Sequence, residues 1–359
     1  MASRKVLALT LDQFSIFKPV TMSDFFIEPK ISSLLKTTRK PSLLDIDFVG
    51  TGGAFDFREK NSSMVLKTNS GSILVDCGST VYSSLCEKKI IDDIDYIFIT
   101  HCHEDHIGSL STLVFHKFFS TKKPVKIECL PSVKEKIEIY LKDVCGHIGD
   151  FENSFSINSN EGTLYKDLNA IIYKIDTTGF HFKDIYSSGF VFNFRKDKKD
   201  FFVLYSGDIN VPFTEIIKNQ YNSLYNSIIQ NPENVFVFHD ATIKCSFPNY
   251  PHFDIKKSEL ITKVFRNFFV YHISKQDADF FMDDYNKKNF KFNKIAKKID
   301  DELAKKTLLT NDDKVKEVLS NQAKKIKLDI ADDLDAFGCE IKFVETFNGS
   351  FKIQQKNIF

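Results

Sequence analysis

From residue 44 onward, apolar and polar positions alternate in short runs, and many runs end in glycine, aspartate or histidine. Leu44-Asp45-Ile46-Asp47-Phe48-Val49 has the period of a half-buried strand and runs into Gly50-Thr51-Gly52-Gly53. Residues 63–67 and 72–75 read as two further strands around the hairpin signal Asn69-Ser70-Gly71, and the second ends in Asp76-Cys77-Gly78. Residues 81–91 fit a short helix, and Tyr96-Ile97-Phe98-Ile99 fits a buried strand. Beyond it, 107–119 is apolar at helical spacing, 125–130 reads as a strand and 132–144 as an amphipathic helix. The polar stretch 146–168 predicts irregular structure. Strands return at 170–175, 189–194 and 201–205, the last running into Ser206-Gly207-Asp208. A helix is expected over 214–229 with Thr214 as N-cap. Residues 235–238 predict a strand ending in His239-Asp240-Ala241-Thr242, 258–265 a helix, and 268–271 a strand ending in His272-Ile273-Ser274.

The pattern loosens on either side. Residues 1–43 are mixed and read as an N-terminal extension. Residues 286–328 are rich in Lys, Asp and Asn and suit surface helices, while 340–346 and 350–354 around Asn348-Gly349 predict a hairpin. The chain therefore divides into an extension (1–43), a central α/β domain (44–274) and a helical C-terminal extension ending in a β-hairpin (275–359).

Composition narrows the function classes. With 49 basic and 48 acidic residues in 359, nothing supports bulk nucleic-acid binding. The seven cysteines are scattered without a C-x-x-C, which disfavours a disulfide framework and favours a reducing, cytoplasmic setting. No run approaches the roughly 18 apolar residues of a membrane helix. The 37 Phe against no Trp read only as compositional bias.

The chemistry concentrates in Thr100-His101-Cys102-His103-Glu104-Asp105-His106-Ile107-Gly108. At a strand end His101 and His103 point the same way and can reach one ion. Asp105 and His106 turn into the next helix and face a second position. Imidazole with carboxylate suits Zn²⁺, and also Mn²⁺ or Fe. A lone histidine is usually surface or core filler, and His116, inside the apolar helix, is expected to be packed there. Desolvating so dense a cluster without a cation would be costly. A phosphate-cradling loop at residues 50–53 is disfavoured, because the Lys-Ser/Thr of a P-loop and a following helix pattern are missing.

His101-x-His103-x-Asp105-His106 followed by Ile107-Gly108 resembles the signature of the metallo-β-lactamase-fold hydrolases. The glycine turn at 50–53, Asn61-Ser62-Ser63, Asp76, Asp208 and Tyr271-His272-Ile273-Ser274 follow in the family's order, from about 44 to 274. The resemblance implies a four-layer αββα sandwich. It also implies two divalent ions: His101, His103 and a third His on one, Asp105, His106 and His272 on the other, and Asp208 bridging. For the third His, His181 fits the family's spacing, whereas the competitor His147 follows a helix and comes too early. Asp76 would buttress the metal loop. His239-Asp240-Ala241-Thr242 is similar to the His-Glu-Ala-Thr segment of the ribonuclease Z and phosphodiesterase branch, with Asp for Glu. Asp240 and His252 would then relay a proton to the leaving group, with Asp105 orienting or deprotonating the nucleophile. Whether His239 contributes stays open.

The implied reaction is phosphodiester cleavage by a metal-bound hydroxide, whose pKa falls to about 7 on coordination. The interval from His181 to Asp208 leaves no room for the tRNA-gripping arm of ribonuclease Z, which favours a cyclic nucleotide or small nucleotide. The basic turn at 195–199 reads as a solvated hairpin tip. Alternatives are a ribonuclease Z-like RNA endonuclease, a lactonase or thioesterase of the same superfamily, or a non-catalytic binding protein. The extensions could add partner binding or homodimerisation.

Overall fold

In the computed structural model, residues 44–273 are described except 57, 69–70, 147–150, 161–162, 166–167, 169, 197–198 and 243–250; isolated positions from 301 to 321 and Lys342–Phe343 are also described. The first sheet has order β1-β2-β3-β4-β5-β6: β1 Leu44–Gly50, β2 Ser63–Thr68, β3 Ser72–Val75, β4 Ile94–Phe98, β5 Val125–Glu128 and β6 Phe155–Asn158. The second has order β13-β12-β11-β10-β9-β8-β7: β7 Thr163–Tyr165, β8 Ala170–Asp176, β9 Ser188–Lys196, β10 Lys199–Tyr205, β11 Val235–Asp240, β12 Asn267–Tyr271 and β13 Lys342–Phe343.

Strand alternation sorts the side chains into layers. Met64 and Leu66 of β2 point into the space between the sheets, while Val65 points outward. Likewise Phe190, Phe192 and Phe194 of β9 face inward and Val191 faces outward. The inter-sheet core is completed by Phe48, Phe98, Tyr205, Phe238 and Tyr271. Much of the phenylalanine surplus thus has a structural use: flat rings fill the slot between two sheets, with Phe98 packed edge-on against Phe190 at 5.2 Å. Outside the first sheet lie α1 Val81–Lys88, α2 Glu104–Ile107, α3 Leu110–Ser120 and α4 Pro131–Cys145, most of them sharing a second apolar cluster. Outside the second lie α5 Phe213–Gln220, α6 Asn222–Gln230 and α7 Glu259–Thr262, with a third cluster. The layers are α, β, β, α, as the resemblance implied.

Three expectations are corrected. The polar stretch 146–168 contains β6 and β7. β6 docks parallel to β5 because Phe155 and Ile157 pack on the helix-side core. In addition, Asn158 Nδ2 donates to Glu128 Oε2 at 2.9 Å, and the buried Lys174 of β8 donates to the same oxygen at 3.1 Å, joining the two sheets. The helix over 214–229 is two helices, broken at Tyr221, which leaves helical geometry and packs its ring against Tyr173. Thr214 is not the N-cap. The helix starts at Phe213, behind Pro212, with the Phe213 N–H donated to His239 Nε2 at 3.1 Å. The helix predicted over 258–265 shortens to Glu259–Thr262 after a 3₁₀ turn at Ile255–Lys257. The 340–346 segment contributes β13, parallel to β12; its proposed hairpin partner lies outside the described residues.

Antiparallel and parallel pairings leave β1, β3, β4, β8, β10, β11 and β12 running in one direction within their sheets. Their C-terminal ends therefore gather chemistry along one edge, where α/β folds place their sites.

Candidate metal centre

The site is built on strand ends. Asp76 follows β3 with φ 62°, His272 follows β12 with φ 66° and Gly207 follows β10 with φ 64°. Left-handed backbone at non-glycine residues costs about 1–3 kcal/mol and concentrates where geometry is imposed by function. Asp76 is fully buried and tied to the loop that opens the histidine motif. It accepts from the Thr100 N–H at 2.8 Å, the Thr100 hydroxyl at 2.9 Å and His106 Nδ1 at 2.8 Å. With its hydroxyl hydrogen committed to Asp76, Thr100 can accept the Nδ1–H of His101 at 3.0 Å. Its Nε2 lone pair then faces the cleft.

The first ligand group is His101, His103 and His181, with ligand atoms all within 4.8 Å of one another. His181 donates Nδ1–H to the Pro251 carbonyl at 3.1 Å, so it too presents the Nε2 lone pair. His103 Nδ1 stands 2.9 Å from His101 Nε2 and 3.3 Å from His181 Nε2. Burial holds all three imidazoles below the usual histidine range, His101 most strongly. Three neutral nitrogens converging on one point suit a cation bound by lone pairs.

The second group is Asp105, His106, Asp208 and His272. His106 Nε2 lies 3.4 Å from both Asp105 Oδ2 and Asp208 Oδ2, and His272 Nε2 lies 3.2 Å from Asp105 Oδ2. His106 Nε2 and Asp208 Oδ1 are buried without a hydrogen-bond partner. Buried polar atoms are rarely left so, and these two flank the point where a cation would sit. Asp208 Oδ2 is also 3.8 Å from His181 Nε2, so it reaches toward both groups. The charges agree. Burial opposes the ionisation of Asp208, but His272 and His106 outweigh it and hold the carboxyl well below the usual range. Burial likewise opposes protonation of His106, but Asp208, Asp76 and Asp105 push it well above. The donors present fit two divalent cations, His101, His103 and His181 on one side and Asp105, His106 and His272 on the other.

Beside the second group, His252 Nδ1 lies 2.8 Å from Asp240 Oδ2. Asp240, shorter than the glutamate of the similar segment, still reaches because it sits fully buried at the end of β11. Ile209 N–H donates to the same oxygen at 3.1 Å. Although burial opposes it, the charge and hydrogen bond of Asp240 push His252 up to about 9. The imidazole is thus held protonated at neutral pH.

All seven expected ligands and the Asp240–His252 pair come together. His147 lies outside the described residues. His116 is half-buried on α3, between Tyr82 Oη at 3.3 Å and Asp92 Oδ1 at 3.1 Å, and belongs to neither ligand group. His239 is structural: Nδ1 donates to the Asp240 carbonyl at 2.6 Å and Nε2 accepts from Phe213. Burial pushes it down to about 4. An unfolded histidine titrates near 6.5, so the unfolded chain binds the extra proton between about 6.5 and 4. Stability from this group is complete above pH 6.5 and falls by about 3 kcal/mol as the pH drops to 4. Urea titrations should show that fall in the wild type and a shallower one in His239→Asn, measured against the stability of each at pH 7. The positioning roles of Thr100 and the Pro251 carbonyl were not legible beforehand. A threonine directly preceding the histidine motif was the available signal for the first; a backbone carbonyl leaves none.

The fold and these clusters define the class: the chain has the metallo-β-lactamase fold. A yeast long-form RNase Z structure aligns at TM-score 0.51 and 13% identity, over 74% of this chain and 42% of that one. The family described as anti-Pycsar protein Apyc1 matches residues 44–298, and the chain belongs to it. Among curated relatives, an anti-Pycsar protein Apyc1 from Paenibacillus sp. (strain J14) is 39% identical over 84 residues, 23% of this chain and 34% of the relative. A ribonuclease Z from Clostridium novyi (strain NT) is 44% identical over 77 residues, 20% of this chain and 25% of the relative. The alignable stretch thus spans about a third of these relatives or less.

Proposed function

We propose that the chain is a dinuclear-metal phosphodiesterase acting on a nucleoside cyclic phosphate or another small nucleotide. The observation that carries it is the Asp240–His252 pair, closed at 2.8 Å beside two ligand groups. Two divalent ions bound there would bring the pKa of water down to about 7 and neutralise charge on the phosphate. Zn²⁺ suits the imidazole-rich first group best. The chain's own residues do the rest. Asp76 and Thr100 fix the tautomers and orientation of His101 and His106. Asp105, 3.2 Å from His272 Nε2, would orient the attacking water. His252, held protonated through Nδ1 by Asp240, carries on Nε2 the proton for the departing alkoxide.

The size of the substrate is argued from β9 and β10. Lys196 pairs directly with Lys199, so the two strands form a tight hairpin, and among the described residues between His181 and Asp208 there is no arm. That favours a small phosphodiester over an RNA precursor. No helix among the described residues is long and apolar enough to cross a membrane. The free thiols of Cys77, Cys86, Cys102, Cys129 and Cys145 support a reducing, cytoplasmic setting.

His252→Ala tests the assignment. Hydrolysis of a nucleoside 3′,5′-cyclic monophosphate, which expels an alkoxide, should fall by about 10²–10⁴. Bis(4-nitrophenyl) phosphate, whose nitrophenolate leaves without a proton, should lose far less. Equal losses on both substrates would remove the proton-donor role.

A further inference from the structure

We infer that Phe182 is a stacking platform for the base of the nucleotide substrate and sets selectivity for nucleoside over base-free phosphodiesters. This rests on the phosphodiesterase reading above and names the substrate feature that site recognises.

The segment between β8 and β9 is a closed loop. Thr177 N–H donates to the Ser187 carbonyl at 2.9 Å, and the two hydroxyls meet at 2.9 Å. Within it Phe180 N–H reaches Thr177 O, Ile185 N–H reaches Phe182 O, and Asn210 N–H anchors the loop on Phe180 O at 2.8 Å. The loop turns His181 inward, leaving it 6% exposed, and sets Phe182 at the rim, 49% exposed. The Phe182 ring stands 4.5 Å from the His181 centroid and 5.8 Å from that of His103, at 70° and 71°. It therefore touches two of the three imidazoles of the first ligand group while leaving half its surface to solvent. An apolar ring held half in water beside a polar site has no packing role that its exposed half serves. A nucleobase on a phosphate held between the two ligand groups would lie beside the residues that Phe182 packs on.

Tyr186, 47% exposed on the same loop, is a weaker candidate, because Lys136 Nζ already lies 5.3 Å from its centroid. Base-on-aromatic stacking tolerates all four bases, since each presents a π-face. The platform would thus favour nucleotides as a class without choosing one.

The test compares two substrates with the same leaving group, thymidine 5′-(4-nitrophenyl phosphate) and methyl 4-nitrophenyl phosphate, on metal-loaded protein. In Phe182→Ala the ratio of their kcat/KM values should fall about tenfold, with the nucleoside loss in KM. Phe182→Tyr should restore the ratio to within about threefold. In parallel, the ratio of thymidine 5′-monophosphate to methyl phosphate affinity, read calorimetrically, should fall by a similar factor. Unchanged ratios in Phe182→Ala would overturn the platform. If the wild type hydrolyses neither these diesters nor a nucleoside 3′,5′-cyclic monophosphate, the phosphodiesterase reading fails, and the affinity ratio still decides whether Phe182 stacks a base.

Discussion

Replacing Asp208 with alanine should abolish phosphodiester hydrolysis, a loss of at least about 10³-fold in kcat. Asp208 is 1% exposed, and its carboxylate stands between the two ligand groups, 3.4 Å from His106 Nε2 and 3.8 Å from His181 Nε2. Removing it deletes a carboxylate that reaches toward both groups. It also removes a negative charge that pushes His106 and His272 upward. Metal analysis should therefore show fewer than two ions per chain in the variant, together with the loss of rate. Two ions retained with activity lost would assign Asp208 to chemistry alone.

The second large effect is expected at Gly78, which brings no side chain to the site but packs against the backbone of Asp105. A Cβ on Gly78 would lie 1.9 Å from the Asp105 carbonyl oxygen and 2.8 Å from Asn61 Cβ. The first of these is backbone and cannot swing aside. Cys77 N–H also donates to His106 O at 2.7 Å, so the segments around Gly78 and Asp105 are laced together. Gly78→Ala must push the 101–106 loop away from Asp76. Misplacing reacting groups by about 1 Å can cost about 10²-fold in rate. The variant should lose about that factor, bind metal more weakly, and melt at a lower temperature. Wild-type metal affinity in a folded Gly78→Ala protein would show that the loop tolerates displacement.

Strand ends were legible because the chain spends its glycines and acids there. Residues 50–53, Asp76, Asp208 and His272 each close an apolar run, and the candidate ligands fall where a strand stops. His101 to His106 was legible because four ligand-type side chains in six residues have few other uses. His181 needed the resemblance, since Phe180-His181-Phe182 alone reads as an ordinary apolar loop. What escaped was held by tertiary contacts. β6 looked polar because Asn158 and Glu128 satisfy one another and Lys174 across the sheets. The helix break at Tyr221 depends on Tyr173, distant in sequence. Sequence left the role of His239 open beside the candidate relay residue Asp240, because the backbone groups that engage both its nitrogens leave no mark in the sequence.

Titrating metal-free protein with Zn²⁺ or Mn²⁺ while following bis(4-nitrophenyl) phosphate hydrolysis tests the dinuclear phosphodiesterase most directly. Activity should appear on loading, saturate at two equivalents per chain, and vanish with chelator. Lactone or thioester hydrolysis without any phosphodiesterase activity at saturating metal would contradict it.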